Sequence, residues 1–183
     1  MPSEERCPKN PSMPKAYCSH CQGTERGTVS NPKFSIRASY FEGCPVVEVL
    51  KDGGPVHKYD DHFRFGIRKA QMLLACVEVL REFWQSTEEQ RLAFKPRLIE
   101  DQRTRLQVSI FVEMHPDFEY STGQTVDRPW LRLKVLSFDK EHIGLGMIKC
   151  RAVCAVKEDL QRWLKKEGAF IPEVNRQIVL GVE

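Results

Sequence analysis

The sequence predicts an α+β protein: antiparallel sheet with helices packed on one face, the order strands-then-helix occurring twice, behind a short cysteine-containing N-terminal extension. Three observations carry this. Short segments alternate apolar and polar side chains, each series of them finishes in a segment of helical period, and turn chemistry such as Asp52-Gly53-Gly54-Pro55 separates them.

In chain order, Met1 to Ala16 is rich in proline and charge and lacks the apolar run of a signal peptide. It reads as a flexible lead-in, and residues 1–28 form one segment with it. From Lys33 to Phe41, Phe34, Ile36, Ala38 and Tyr40 share one face while Lys33, Ser35, Arg37 and Ser39 share the other, which makes a half-buried strand. Gly43-Cys44-Pro45 turns the chain into a second strand, Val46 to Leu50, and a third extended run covers Val56 to Phe65. At Gly66 the period changes. Ile67 to Gln85 is predicted as one long helix with a wide apolar surface, because Met72, Cys76, Val79 and Phe83 add a second stripe to the one through Ile67, Ala70, Leu74, Val77, Leu80 and Trp84. A helix this apolar needs cover on two sides, from sheet and from another helix or a second subunit, so homo-oligomerisation through 67–85 is an expectation. Ser86-Thr87-Glu88-Glu89 caps a short following helix that stops near Pro96.

The second half repeats this grammar without repeated residues being evident. Thr104 to Met114 and Trp130 to Phe138 are predicted strands. Met147 to Val156 also alternates, with Ile148, Cys150, Ala152, Cys154 and Val156 inward, and is read as a third; Lys157 to Lys166 closes the half as a helix. Residues 29–183 thus form one domain of two halves, 29–96 and 97–170, with a C-terminal tail.

At 183 residues, 41% hydrophobic and 29% charged, the chain can bury a full core and is neither fibrous nor disordered. Its longest apolar run, Met72 to Val77, is too short to cross a bilayer. Seven cysteines without an export signal favour reduced thiols or metal ligation and a cytoplasmic location. Cys18-Ser19-His20-Cys21 has the two-residue spacing of a zinc knuckle. Cys7 and Cys44 are the nearest further thiols, so Cys7, Cys18, Cys21 and Cys44 are the candidate ligands of a structural zinc. Free thiols, or a redox pair, are the competing readings of the same residues. Cys76, Cys150 and Cys154 are assigned to the core.

If the apolar members of each strand point inward, their alternates form a basic outer face although the net charge is only +3. The candidate nucleic-acid-binding residues are Arg37, Arg105, Trp130, Arg132, Lys134, Lys149 and Arg151. Lys33, His62 and Arg64 add to that face, and Phe41 or Phe111 are available with Trp130 for stacking on bases. The same residues would also serve solubility and edge protection. The order of elements resembles, in topology, that of Whirly-like and Pur-type nucleic-acid-binding proteins, whose strand-rich units each end in a helix. That resemblance implies single-stranded DNA or RNA as partner. Arg68 and Lys69, in the first turn of the long helix, invite an anion or a nearby carboxylate such as Asp60 or Asp61.

Two clusters could ligate a catalytic metal: His57, Asp60, Asp61 and His62, and the alternating Glu113, His115 and Asp117. A metal-dependent phosphodiester hydrolase is therefore the competing function, and a non-catalytic protein-interaction module a third. No dinucleotide fingerprint, phosphate loop or nucleophile elbow occurs, so the leading expectation is a non-enzymatic nucleic-acid-binding or accessory protein.

Overall fold

The computed structural model describes residues 31–56, 62–119, 122–136, 142–174 and 176–180, together with the backbone of 6–7 and 10–14. These fall into two compact units. The first takes residues 1–32 and 118–125 and contains the antiparallel pair β1 (Arg6–Cys7) and β2 (Asn10–Pro14). The second, residues 33–117 and 126–183, holds the core.

In the second unit, β3 (Phe34–Phe41) and β4 (Cys44–Lys51) form a hairpin in unbroken register, with β5 (Gly54–Pro55) and β6 (Arg64–Gly66) both paired to β4. The alternation read from Lys33 to Phe41 is thus a strand, and Val47, Val49 and Phe65 are buried on its sheet's inner face. Gly66 caps α1 (Ile67–Ala75), which breaks at Cys76 before α2 (Val77–Gln85). The single long helix is therefore two, because Cys76 leaves helical geometry and its N–H turns back to Leu74 and Met72 carbonyls. Thr87 then opens α3 (Glu88–Leu92) with a reciprocal Thr87–Gln90 capping box.

The second half supplies β7 (Arg97–Asp101), β8 (Leu106–Glu119), β9 (Gln124–Val135), β10 (His142–Leu145), α4 (Met147–Ala155), α5 (Lys157–Lys166) and β11 (Arg176–Val179). Its strands lie in the order β10-β9-β8-β7-β11, and β10–β9, β8–β7 and β7–β11 pair antiparallel. Three corrections follow. Met147–Val156 is helix α4 rather than a strand: Cys150, Ala152 and Val153 are all buried, and a helix covered on most sides shows little of the amphipathic spacing that identifies one. Strand β7, unread in the sequence, fills the sheet between β8 and β11. The residues taken for a tail return as β11 on the edge of β7.

The helices of the two halves pack on one another as one layer. α1 packs on α5 and α2 on α4, while α4 reaches β4 and α5 reaches β3, so the second half's helices underlie the first half's sheet. The apolar side chains that gave the 67–85 segment two stripes, among them Met72, Cys76, Val79, Leu80 and Phe83, are buried inside this layer by the chain itself.

The helices and hairpin turns of the two halves correspond at an offset of 80 residues, although β10 pairs with β9 four residues out of the register that β6 takes on β4. α1 (67–75) corresponds to α4 (147–155), the break at Cys76 to that at Val156, and the buried Ala70, Met72, Leu73, Leu80 and Phe83 to Cys150, Ala152, Val153, Leu160 and Trp163. Gly43 and Gly123 occupy matching hairpin turns with φ of 78° and 69°, where a side chain would be strained. Once aligned this way, repeated residues do exist: His62/His142, Gly66/Gly146, Lys69/Lys149, Ala75/Ala155, Glu78/Glu158 and Leu80/Leu160. The equivalent strands β7 and β11 pair with each other, Leu98 opposite Ile178, so a local pseudo-two-fold passes between those residues.

A buried carboxylate secures the turn after β7. Asp101 accepts hydrogen bonds from the amides of Arg103 and Thr104, the Thr104 hydroxyl and the Glu173 amide, which ties the segment leading to β11 to the β7–β8 turn.

Candidate nucleic-acid interface

The outer face of the first sheet is built by register. Arg37 on β3, Glu48 on β4 and Arg64 on β6 stand side by side, and His62 precedes β6. Glu48 accepts from Arg37 Nε at 3.2 Å and Nη2 at 2.5 Å, and His62 Nδ1 lies 2.5 Å from its other oxygen. Burial pushes the Glu48 carboxyl up, but the bonds from Arg37 and His62 outweigh it and hold it below the usual carboxylate value. The side chain of Glu48 is only 6% exposed whereas that of Arg37 is 61% exposed, so the acid lies beneath its partners and the solvent meets the guanidinium. Beside them Phe41 is exposed, with the Arg64 guanidinium 5.4 Å from its ring centre.

On the second sheet the equivalent positions carry the opposite charges. Asp117 and Arg128 stand where Arg37 and Glu48 stand in the first half, and they pair at 3.6 Å. Glu113 and Arg132 stand where Lys33 and Asp52 stand; Arg132 donates to Glu113 through Nε at 2.8 Å, with Nη2 at 2.6 Å. In the Glu113–Arg132 pair the acid is the more exposed partner, 51% against 28%, whereas Arg128 is slightly more exposed than Asp117. Trp130 stacks on His115 at 3.9 Å, with Lys149 Nζ 5.9 Å from its ring, and Gly146 lies so close that a Cβ there would sit 3.2 Å from the indole. A cleft of about 180 Å³ opens beside this group, lined by Arg91, Arg128, Trp130, Asp117, Glu88 and Met147 among others.

Of the residues proposed from sequence, Trp130, Arg132 and Lys149 do come together, but Lys149 arrives from the first turn of α4. Lys149 and Arg151 were expected on a strand face; being on α4 they are not part of the sheet, and Arg151 lies 5.5 Å from the Trp84 ring. Lys134 is on β9 beyond Arg132. Arg105 sits in the β7–β8 turn with φ of 56°, and Arg37 lies on the other sheet. The seven residues therefore do not form one surface, and the acids opposite Arg37, Arg128 and Arg132 could not be foreseen without strand register.

The metal candidates are separated too. Glu113 faces Arg132, Asp117 faces Arg128 and His115 stacks on Trp130, and among the described residues no group of three His, Cys, Asp or Glu side chains could hold a metal. His57, Asp60, Asp61, Cys18 and Cys21 lie outside the described residues, as does the side chain of Cys7. Cys44 is exposed at the start of β4. The thiols of Cys76, Cys150 and Cys154 are all raised by burial, and the last two are neighbours one turn apart on α4 rather than on a strand. Among the described residues no helix is long and apolar enough to cross a membrane.

The antiparallel sheets and the five helices among the described residues make this an α+β protein of two strand-then-helix halves. No protein-family model matches the chain, and no curated protein or solved structure matches it either.

Proposed function

We propose that the protein is a non-enzymatic, single-stranded nucleic-acid-binding or accessory protein, and that its contact surface is the outer face of the first sheet rather than the second. One observation carries this: the acid of the Arg37–Glu48–His62 group, Glu48, is buried and saturated, leaving Arg37, His62 and Arg64 to face solvent beside an exposed Phe41. Cations at the surface attract phosphate, and an exposed ring offers a stacking platform whose energy does not depend on sequence. The second face lacks this polarity at its Glu113–Arg132 pair, where the acid is the more exposed partner, and its Trp130 is already stacked on His115.

Binding of a fluorescent single-stranded oligonucleotide at graded salt tests it. Arg64→Glu is expected to weaken binding about tenfold and to flatten the salt slope, Phe41→Ala to weaken it by a similar factor, and Arg132→Glu to leave it within about twofold. No binding at low salt, or equal losses from Arg64→Glu and Arg132→Glu, rejects it. A structural zinc on the Cys18–Cys21 knuckle and a cytoplasmic location belong to the same proposal. Zinc retained at one equivalent in a Cys18→Ser variant rules out Cys18 as an essential ligand.

A further inference from the structure

Strand β3 is eight residues long, lies at the edge of its sheet and, among the described residues, pairs only with β4. The other outer strands of the second unit are short: β5 has two residues, β6 three, and β10 and β11 four each. Proteins protect long edges with lysine, proline or a bulge, since a row of unpaired N–H and C=O groups recruits another strand. The Phe-Ser-Ile-Arg-Ala-Ser-Tyr-Phe sequence of β3 has no proline, one charge and no break in its register. Its last five residues, Arg37 to Phe41, are exposed on both faces, including Tyr40 and Ala38, whose parity points to the inner side.

We propose that this edge pairs antiparallel with the β3 edge of a second copy of the chain about a two-fold axis, extending the first sheet across the dimer. A two-fold normal to the sheet presents the same edge from both copies and makes the pairing antiparallel. Like faces stay together only when residues of equal parity oppose one another, because directly opposed residues share a face. Centring on Arg37 would oppose two guanidinium groups. Centring on Ser39 instead sets Arg37 of each copy against Phe41 of the other on the outer face, and Ala38 against Tyr40 on the inner. This pairing does not depend on the nucleic-acid reading, although it would join two outer faces into one.

Sedimentation of the full chain over a concentration series tests it. The mass is expected to rise from 21.2 kDa toward twice that value. Ser39→Lys and Ser39→Glu, at an exposed position, are each expected to move the midpoint at least about tenfold to higher concentration, because like charges meet at the axis. An equal mixture of the two variants is expected to restore the dimer. A monomer at every concentration, a dimer indifferent to both substitutions, or a mixture no stronger than its components overturns the proposal.

Discussion

The two halves share one backbone plan and oppose each other in charge. Where the first sheet pairs Arg37 with a buried Glu48, the second pairs Asp117 with Arg128, and the positions of Lys33 and Asp52 become Glu113 and Arg132. What is kept between them is the cross-strand pair itself; its direction is free. Sequence counts of arginine and lysine cannot reveal this, because a cation contributes to the outer potential only if its partner acid lies beneath it.

Substitutions at equivalent positions sharpen the comparison. Leu80 and Leu160 are both fully buried, so Leu80→Ala and Leu160→Ala are each expected to cost about 2–5 kcal/mol in urea unfolding. Values differing by more than about 2 kcal/mol would break the equivalence of the two cores. Gly66 and Gly146 should differ instead. A Cβ at Gly146 meets the Trp130 ring at 3.2 Å, whereas one at Gly66 meets only the Pro45 carbonyl at 3.7 Å. Gly146→Ala is expected to cost about 1–2 kcal/mol and to change Trp130 fluorescence, Gly66→Ala less than about 0.5 kcal/mol.

The acids differ as well. Because the folded Glu48 carboxyl sits below its ordinary value of 4.5, the stability it adds is complete above that value and disappears as pH falls through the lower folded-state value. Acid unfolding of Glu48→Gln should therefore be flatter in that window, with a loss of about 1 kcal/mol at neutral pH. The smallest effect is expected from giving the second half the first half's polarity. Asp117→Arg with Arg128→Glu keeps an exposed pair and should change stability by less than about 0.5 kcal/mol.

Much of the architecture was readable from period alone. Strands β3, β4, β8 and β9 alternate as expected, the helical change at Gly66 is real, and Thr87 caps α3. Helix α4 was not readable, because Ile148, Cys150, Ala152, Cys154 and Val156 happen to alternate in a helix buried on most sides. The signal that identifies it is comparison with the chain's own first half, where Asp-His-Phe-Arg-Phe-Gly-Ile-Arg-Lys at 61–69 answers Glu-His-Ile-Gly-Leu-Gly-Met-Ile-Lys at 141–149. The site was legible only in kind. Basic and aromatic residues do alternate outward, but which arginine meets which acid depends on register between strands, and Glu48, the residue that decides the polarity of the first face, is recognised only once β4 is paired with β3 and β6.

Asp101 joins two events that would otherwise be separate. Since one carboxylate both shapes the β7–β8 bend and grips the Glu173 amide, loosening of that bend and detachment of the last dozen residues become a single opening. Cleavage by a protease beyond Gly168 would thus report on the integrity of a corner about seventy residues upstream, and the chain end serves as a gauge of how well its second sheet is closed.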